Sequence, residues 1–197
     1  IGVLALLAIH EVVIGFILAF VVILVFAIVN FAGHYVDTPI GFGMASIFDP
    51  AIGGQVPVFS QFYYIFAVLI FLAVDAHLWL IQAVQHSFQV IPFGNWIQIE
   101  PSFTLLMELV KQMFLIGIQI ALPITATILL TDIGLGIVIR AVPQINVFVL
   151  GFPIKIMVGL VVILFGLPSF VYIASQLFAV DGLLFRYVQS LLALGGS

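Results

Sequence analysis

The chain has 197 residues, of which 65% are hydrophobic and only 6% are charged, and its mean hydropathy is +1.43. Because soluble domains carry about 25% charged residues, this composition excludes a water-soluble domain and indicates an integral membrane protein. The four Lys and Arg residues exclude a nucleic-acid-binding footprint, the net charge of −4 implies no strongly charged partner, and the absence of Cys excludes disulfides and thiolate metal sites.

Four long apolar segments predict membrane-type helices. The first, from Val12 to Val29, spans roughly 27 Å as a helix, which is enough for a bilayer core. The others run from Phe59 to Val84 with an interruption at Asp75 and His77, from Met113 to Thr131, and from Ile156 to Val180. Several contain Pro or Gly, so the sequence predicts an all-α membrane protein with long, kinked helices.

The segment from Gly41 to Pro57 separates the first two apolar runs and contains four glycines, two prolines and one carboxylate. Such residues disfavour a continuous helix. In a membrane protein, non-helical backbone persists only where it is buried in protein or lines a wet cavity. The residues alone leave two interpretations open, namely a gate, pore lining or re-entrant element, and an ordinary connector outside the membrane.

Polar side chains also cluster beyond the second apolar run. They are Asp75, His77, Gln82, Gln85 and His86. Ionisable groups at membrane depth usually face a bundle interior or water, so a polar lining or proton-responsive site is one interpretation. The other interpretation, which so many polar residues close together favour, is the interfacial end of a helix.

Signatures of catalysis are missing from the sequence. There is no His-Glu-x-x-His pair and no Gly-Lys-Ser/Thr phosphate loop, and the four histidines lack the spacing of a ligand set on one helix face. The sequence therefore predicts no catalytic residue, no metal site and no cofactor.

Several motifs in the correct order resemble the FliR / SctT family of type III export-gate proteins. The motifs are Gly134–Pro153, Gly33–Pro57 with Asp49-Pro50, Ala76–Ile81, Ser87-Phe88 and Ile91-Pro92. The chain begins at Ile1 rather than Met, and the N-terminal region of the family is expected to be missing. One residue departs from the family pattern, because Asp75 stands where a glycine or a small polar residue is expected.

The resemblance implies a FliP-like part, residues 1–100, followed by a FliQ-like helical hairpin, residues 101–197. It implies one copy assembled with FliP-like and FliQ-like subunits and an FlhB-like switch protein, in the bacterial inner membrane at the flagellar basal body. Unfolded flagellar proteins would cross through this gate, with no catalysis and no cofactor. The alternatives are a virulence (injectisome) gate subunit, a secondary transporter of small solutes and a purely structural membrane scaffold.

The resemblance also favours the gate interpretation of residues 41–57, as a plug that closes the channel. The implied plug and channel residues are Gly41, Phe42, Gly43, Met44, Ala45, Ser46, Ile47, Phe48, Asp49, Pro50, Gly53 and Gly54. Apolar bulk resists water and ions by dewetting, and the glycines allow the segment to move aside. The most polar turn of the second half is expected to contact the switch protein through Arg140, Pro143, Gln144 and Asn146.

Overall fold

The structure, a computed structural model, describes residues 2–41, 57–91, 99–144 and 147–195, and these residues form six helices. The helices are α1 (Gly2–Ile40), α2 (Val58–Ala73), α3 (Ala76–Val90), α4 (Ile99–Ala141), α5 (Val147–Phe178) and α6 (Leu183–Gly195). The described ranges contain no strand, so the predicted all-α class is confirmed.

The long helices also confirm the membrane class. Three apolar stretches, Gly2–Ile40, Glu100–Ala141 and Val149–Gly195, are long enough to cross a bilayer. The second predicted run, Phe59–Val84, is a pair of helices, α2 and α3, bent by 69° at the break between them. The first predicted run, Val12–Val29, is the centre of a longer helix, since α1 continues to Ile40, one residue beyond Pro39.

The chain divides into two compact units. Unit 1 comprises Ile1–Ile28, Ala67–Phe114 and Ile173–Ser197, and unit 2 comprises Val29–Phe66 and Leu115–Tyr172. The helices α1, α2, α4 and α5 each contribute residues to both units. The two compact units do not test the predicted division into a FliP-like part and a FliQ-like part near residue 100, which stays a prediction.

In unit 1, α3 packs against α6, and an aromatic cluster joins α1, α2 and α5. Phe26 lies 5.4 Å from Phe71 and 4.9 Å from Phe178, measured between ring centroids, and Phe71 lies 5.4 Å from Phe178. Edge-to-face and tilted contacts of this kind stabilise by about 0.5–1.5 kcal/mol beyond the area they bury. The cluster therefore holds the C-terminal end of α2 just before the bend.

In unit 2, α4 and α5 pack as an antiparallel hairpin. Asp132 of α4 forms an ion pair with Lys155 of α5. One helical turn later in α5 and one turn earlier in α4, a Cβ atom at Gly159 would lie 3.7 Å from Cδ1 of Ile128. The ring of Tyr63 on α2 stacks on Phe170 of α5, with 4.4 Å between centroids. These contacts bring the start of α2 and the hairpin into one core.

Candidate functional site

The structure describes only the two ends of the predicted plug segment, residues 41–57, and these ends form its base. Gly41 lies at the end of α1, and Pro57 precedes α2. The remaining predicted plug residues, Phe42 to Gly54, lie outside the described residues. The described residues are the two ends of the segment, where α1 ends and α2 begins.

A buried carboxylate joins these two ends. Asp37, only 3% exposed, accepts hydrogen bonds from the backbone N–H groups of Phe59 (2.8 Å, to Oδ1) and Ser60 (3.0 Å, to Oδ2). The first N–H groups of a helix lack partners within that helix, and the helix dipole favours a negative charge at this position. Asp37 thus caps α2 from more than twenty residues earlier in the chain.

Two further α1 residues bring α2 close. The hydroxyl of Ser60 donates a hydrogen bond to Oδ1 of Asn30 at 2.6 Å. A Cβ atom built on Gly33 would overlap the Ser60 backbone, with its nitrogen only 2.7 Å away. Only glycine allows this approach. We call Asn30, Gly33, Asp37 and their contacts with Phe59 and Ser60 the base clamp.

Gly41 sets the direction in which the chain leaves α1. Its φ of +98° lies in the region that favours glycine, and its N–H donates to the Asp37 carbonyl at 3.3 Å. A Cβ atom at Gly41 would also lie 2.6 Å from Cε1 of Phe152, near the start of α5. The backbone conformation therefore requires glycine, a side chain here would also displace the Phe152 ring, and the base of the segment lies near the α4–α5 turn.

A pocket of about 190 Å³ lies on the hairpin beside this base. Lys155 Nζ and Asp132 Oδ1 are 2.5 Å apart in it, and Lys155 is the more buried side chain of the two. Phe152 contributes to the pocket wall and also faces Gly41. The ion pair neutralises two charges in a pocket whose other lining residues are apolar, where either charge alone would be costly. The other lining residues are Leu135, Gly136, Ile139 and Gly151.

The predicted partner-contact residues lie at the end of the same hairpin. Arg140 is in the last turn of α4, and Arg140, Pro143 and Gln144 are all exposed. Asn146, the fourth predicted residue, lies outside the described ranges. The three described side chains are therefore accessible to another protein.

Sequence reasoning did not assign a role to Asp37, Asn30 or Ser60. A signal for Asp37 was present, because a carboxylate near the end of an apolar helix needs partners or water. The identity of those partners could not be read from the sequence, since local spacing carries no information about backbone groups 22 and 23 residues away. Among the described residues, no group of three or more His, Asp or Glu side chains is placed to hold a metal ion.

Comparison with known proteins gives consistent matches along the chain. Residues 1–180 match the family model described as bacterial export proteins, family 1. The flagellar biosynthetic protein FliR of Bacillus subtilis is 34% identical over 97% of this chain. The proteins of the same name from Pectobacterium carotovorum and Escherichia coli are 34% and 31% identical, each over 88% of the chain.

The chain spans 74% of the length of the Bacillus relative and 66% of the other two. A family model that covers residues 1–180, together with relatives above 30% identity, agrees with the motifs found in the sequence. The chain therefore belongs to bacterial export proteins, family 1, the family that includes the flagellar biosynthetic protein FliR.

Proposed function

We propose that this chain is a subunit of the export gate of a flagellar type III secretion apparatus. In this role it lies in the bacterial inner membrane at the flagellar basal body. Together with other gate subunits it lines the channel through which unfolded flagellar proteins cross. The proposal is supported by the family membership and by relatives that are named for flagellar biosynthesis.

The observation that carries the plug role is the base clamp. A segment that closes a channel must be fixed at its two ends so that pressure from solvent or passengers does not displace it. Asp37 joins the end of α1 to the start of α2 through two hydrogen bonds, and Gly33 lets the two backbones touch. The clamp thus supplies the rigid attachment that a plug formed by residues 42–56 requires.

The composition of the segment suits a seal. Phe42, Met44, Ile47 and Phe48 supply apolar bulk that excludes water and ions from a narrow lumen. Methionine is flexible and repacks around different passengers. Gly43, Gly53 and Gly54 permit the backbone changes that opening demands.

The exposed turn of the α4–α5 hairpin is proposed to contact an FlhB-like switch protein. Arg140 supplies a charge, and Gln144 supplies an amide that hydrogen-bonds in both directions. The positive-inside tendency favours a cytoplasmic position for the turn that carries Arg140, with Lys155 just beyond it. A photoreactive residue at position 144 is expected to crosslink to the switch protein, and crosslinks only to periplasmic proteins would contradict both the side and the partner.

Coexpression separates the gate from the transporter alternative. Expressed with FliP-like and FliQ-like subunits, a tagged chain is expected to purify as a single complex that contains both. A secondary transporter would instead be complete alone, and its yield would not depend on those subunits. A stable monomer that binds neither the FliP-like nor the FliQ-like subunit would overturn the proposal. A virulence-type gate would give the same complex but would restore secretion of virulence proteins rather than motility.

A further inference from the structure

The end of α1 has a second attachment, which lies on α5 rather than on α2. A Cβ atom built on Gly41 would meet Cε1 of the Phe152 ring at 2.6 Å and Cδ1 at 3.0 Å. Two turns further along α5, a Cβ atom built on Gly159 would meet Cδ1 of Ile40 at 2.9 Å. Residues seven apart share one face of a helix, so Phe152 and Gly159 form one surface against which α1 ends. We call the contacts of Phe152 with Gly41 and of Gly159 with Ile40 the α5 contact.

The α5 contact differs from the base clamp in its chemistry. Breaking the base clamp would leave two N–H groups of α2 without their acceptor, the buried carboxylate of Asp37. The α5 contact is made by an aromatic ring, two glycines and a fully buried isoleucine. Such apolar contacts have no directional requirement, so they can separate and re-form without leaving a polar group unpaired. Of the two attachments, the α5 contact is therefore the one that can be released at lower cost.

Phe152 is placed to set the direction in which the chain leaves α1. Apart from the neighbouring backbone of α1, the three atoms nearest to a Cβ position at Gly41 all belong to the Phe152 ring, among the described residues. Glycine has little dihedral preference of its own. The direction of the chain at Gly41 therefore depends on what packs against it, and the Phe152 ring packs there.

The pocket beside Phe152 offers the ring a second position. Its volume is about 190 Å³, and Phe152 forms part of its wall. Since cavities of about 150 Å³ in other proteins bind benzene, this pocket has room for a phenyl ring. Gly136 and Gly151, which also line it, leave the space open because they carry no side chain. A change of side-chain rotamer can thus move the ring away from Gly41 without breaking α5.

We propose that Phe152 is a positioning residue for the segment that closes the channel. In the closed state its ring holds Gly41, and with it the start of the segment, against α5. When the ring turns into the pocket, the end of α1 separates from α5, while Asp37 keeps α1 attached to α2. This inference rests on the proposed closing role of residues 42–56 and adds to it the contact that controls the segment.

Ion conductance of the assembled but inactive apparatus tests the holding role of the ring. Phe152→Ala removes the ring, and Phe165→Ala is the matched control, because it removes the same side chain from the same helix at a position that is 84% exposed. The Phe152→Ala complex is expected to conduct ions, whereas the native and Phe165→Ala complexes stay closed. An assembled Phe152→Ala complex that stays closed, or a Phe165→Ala complex that leaks equally, overturns the inference.

A disulfide lock tests the release of the contact and does not depend on how well Phe152→Ala folds. The chain has no cysteine of its own, so the pair Ile40→Cys/Gly159→Cys introduces its only thiols. Cγ1 of Ile40 lies 3.4 Å from the Cβ position at Gly159. The two Cβ atoms therefore lie near the separation of about 3.5–4.5 Å that a disulfide spans.

Export of a flagellar substrate into inverted membrane vesicles is the readout for the lock. Oxidation is expected to stop export and reduction to restore it. The control Ile40→Cys/Gly159→Ala lacks one thiol and should export equally under both conditions. Export that continues through a fully oxidised lock overturns the inference, and so does a cysteine pair that forms no disulfide, since the contact would then be absent.

Failure of this inference and failure of the proposed function give different results. If replacing residues 42–56 with a Gly-Ser linker opens the channel but Phe152→Ala does not, the closing role stands and the inference is wrong. If the linker variant assembles and stays closed, the closing role itself fails, and the inference fails with it.

Discussion

Asp37 is the single side chain on which the base clamp depends most. Its two oxygens each accept a backbone N–H from the first turn of α2. Asp37→Leu would leave both buried N–H groups without an acceptor, at about 1–3 kcal/mol for each unsatisfied group. We expect a lower melting temperature for the purified complex and a higher ion leak. Asp37→Asn retains one acceptor and should lie between the native protein and Asp37→Leu.

The matched control for Asp37 is Asp181→Asn, since Asp181 is exposed. This variant should have the melting temperature of the native protein, because neutralising an exposed carboxylate changes stability little. If Asp37→Leu melted at the native temperature, the carboxylate would have no structural role, and the stabilising role of the base clamp would be contradicted.

The backbone conformation at Asp75 gives a physical reason for the glycine or small polar residue expected at this position. Its φ of +57° is left-handed, the only such non-glycine residue in the described ranges, and its carbonyl accepts bonds from the N–H groups of Leu78 and Trp79. The exposed side chain forms no capping hydrogen bond. Asp75→Gly should therefore stabilise the bend by up to about 1 kcal/mol, while Asp75→Val should destabilise it by about 1–2 kcal/mol. Thermal unfolding of the complex measures both changes. A clear loss of stability in Asp75→Gly would reveal a role for the Asp75 carboxylate.

At the scale of elements, the contact of α1 with α2 depends on the absence of a side chain at Gly33. Gly33→Ala forces the Cβ atom into the Ser60 backbone and should destabilise by about 1–3 kcal/mol. Gly15→Ala on the same helix meets no atom within 4 Å in this chain, so it should be neutral or gain up to about 1 kcal/mol of helix propensity. Protease resistance of the two variants gives the comparison, and equal resistance would contradict the close approach of the helices.

The α4–α5 hairpin depends on the pairing of Asp132 with Lys155. Asp132→Ala or Lys155→Ala leaves one partly buried charge without its partner, and each should lower stability by more than the double variant Asp132→Ala/Lys155→Ala. We expect a coupling energy of about 0.5–3 kcal/mol in a double-mutant cycle on complex stability. Additive effects would mean that the two charges do not support each other.

The sequence predicted where helices lie better than it predicted what joins them. The runs Val12–Val29 and Met113–Thr131 fall within α1 and α4, because a long uncharged segment is a strong signal for a membrane-type helix. It also placed a break at Asp75. The predicted runs end at Val180, before α6, although the leucines of α6 alternate with Arg186 and Gln189 in the pattern of an amphipathic helix. Only tertiary structure could show that Asp37 caps α2.

At the scale of the whole molecule, most residues in the apolar windows of the three described spans are not buried within the chain. The most hydrophobic windows of the three long spans are only 33%, 28% and 17% buried. Side chains such as Phe16 and Phe165, which are 71% and 84% exposed, must therefore meet lipid or the helices of other subunits. This surface is consistent with a chain that functions inside a larger membrane assembly.

The central claim is that the segment between Gly41 and Pro57 closes a channel and that the base clamp holds it in place. The most direct test replaces residues 42–56 with a Gly-Ser linker of equal length and keeps Asp37, Gly41 and Ser60. Ion conductance is then measured across membranes that contain the assembled but inactive apparatus. The account predicts a complex that assembles normally and conducts ions, whereas the native complex stays closed. A complex that assembles with the linker and remains as tight as the native one would contradict it.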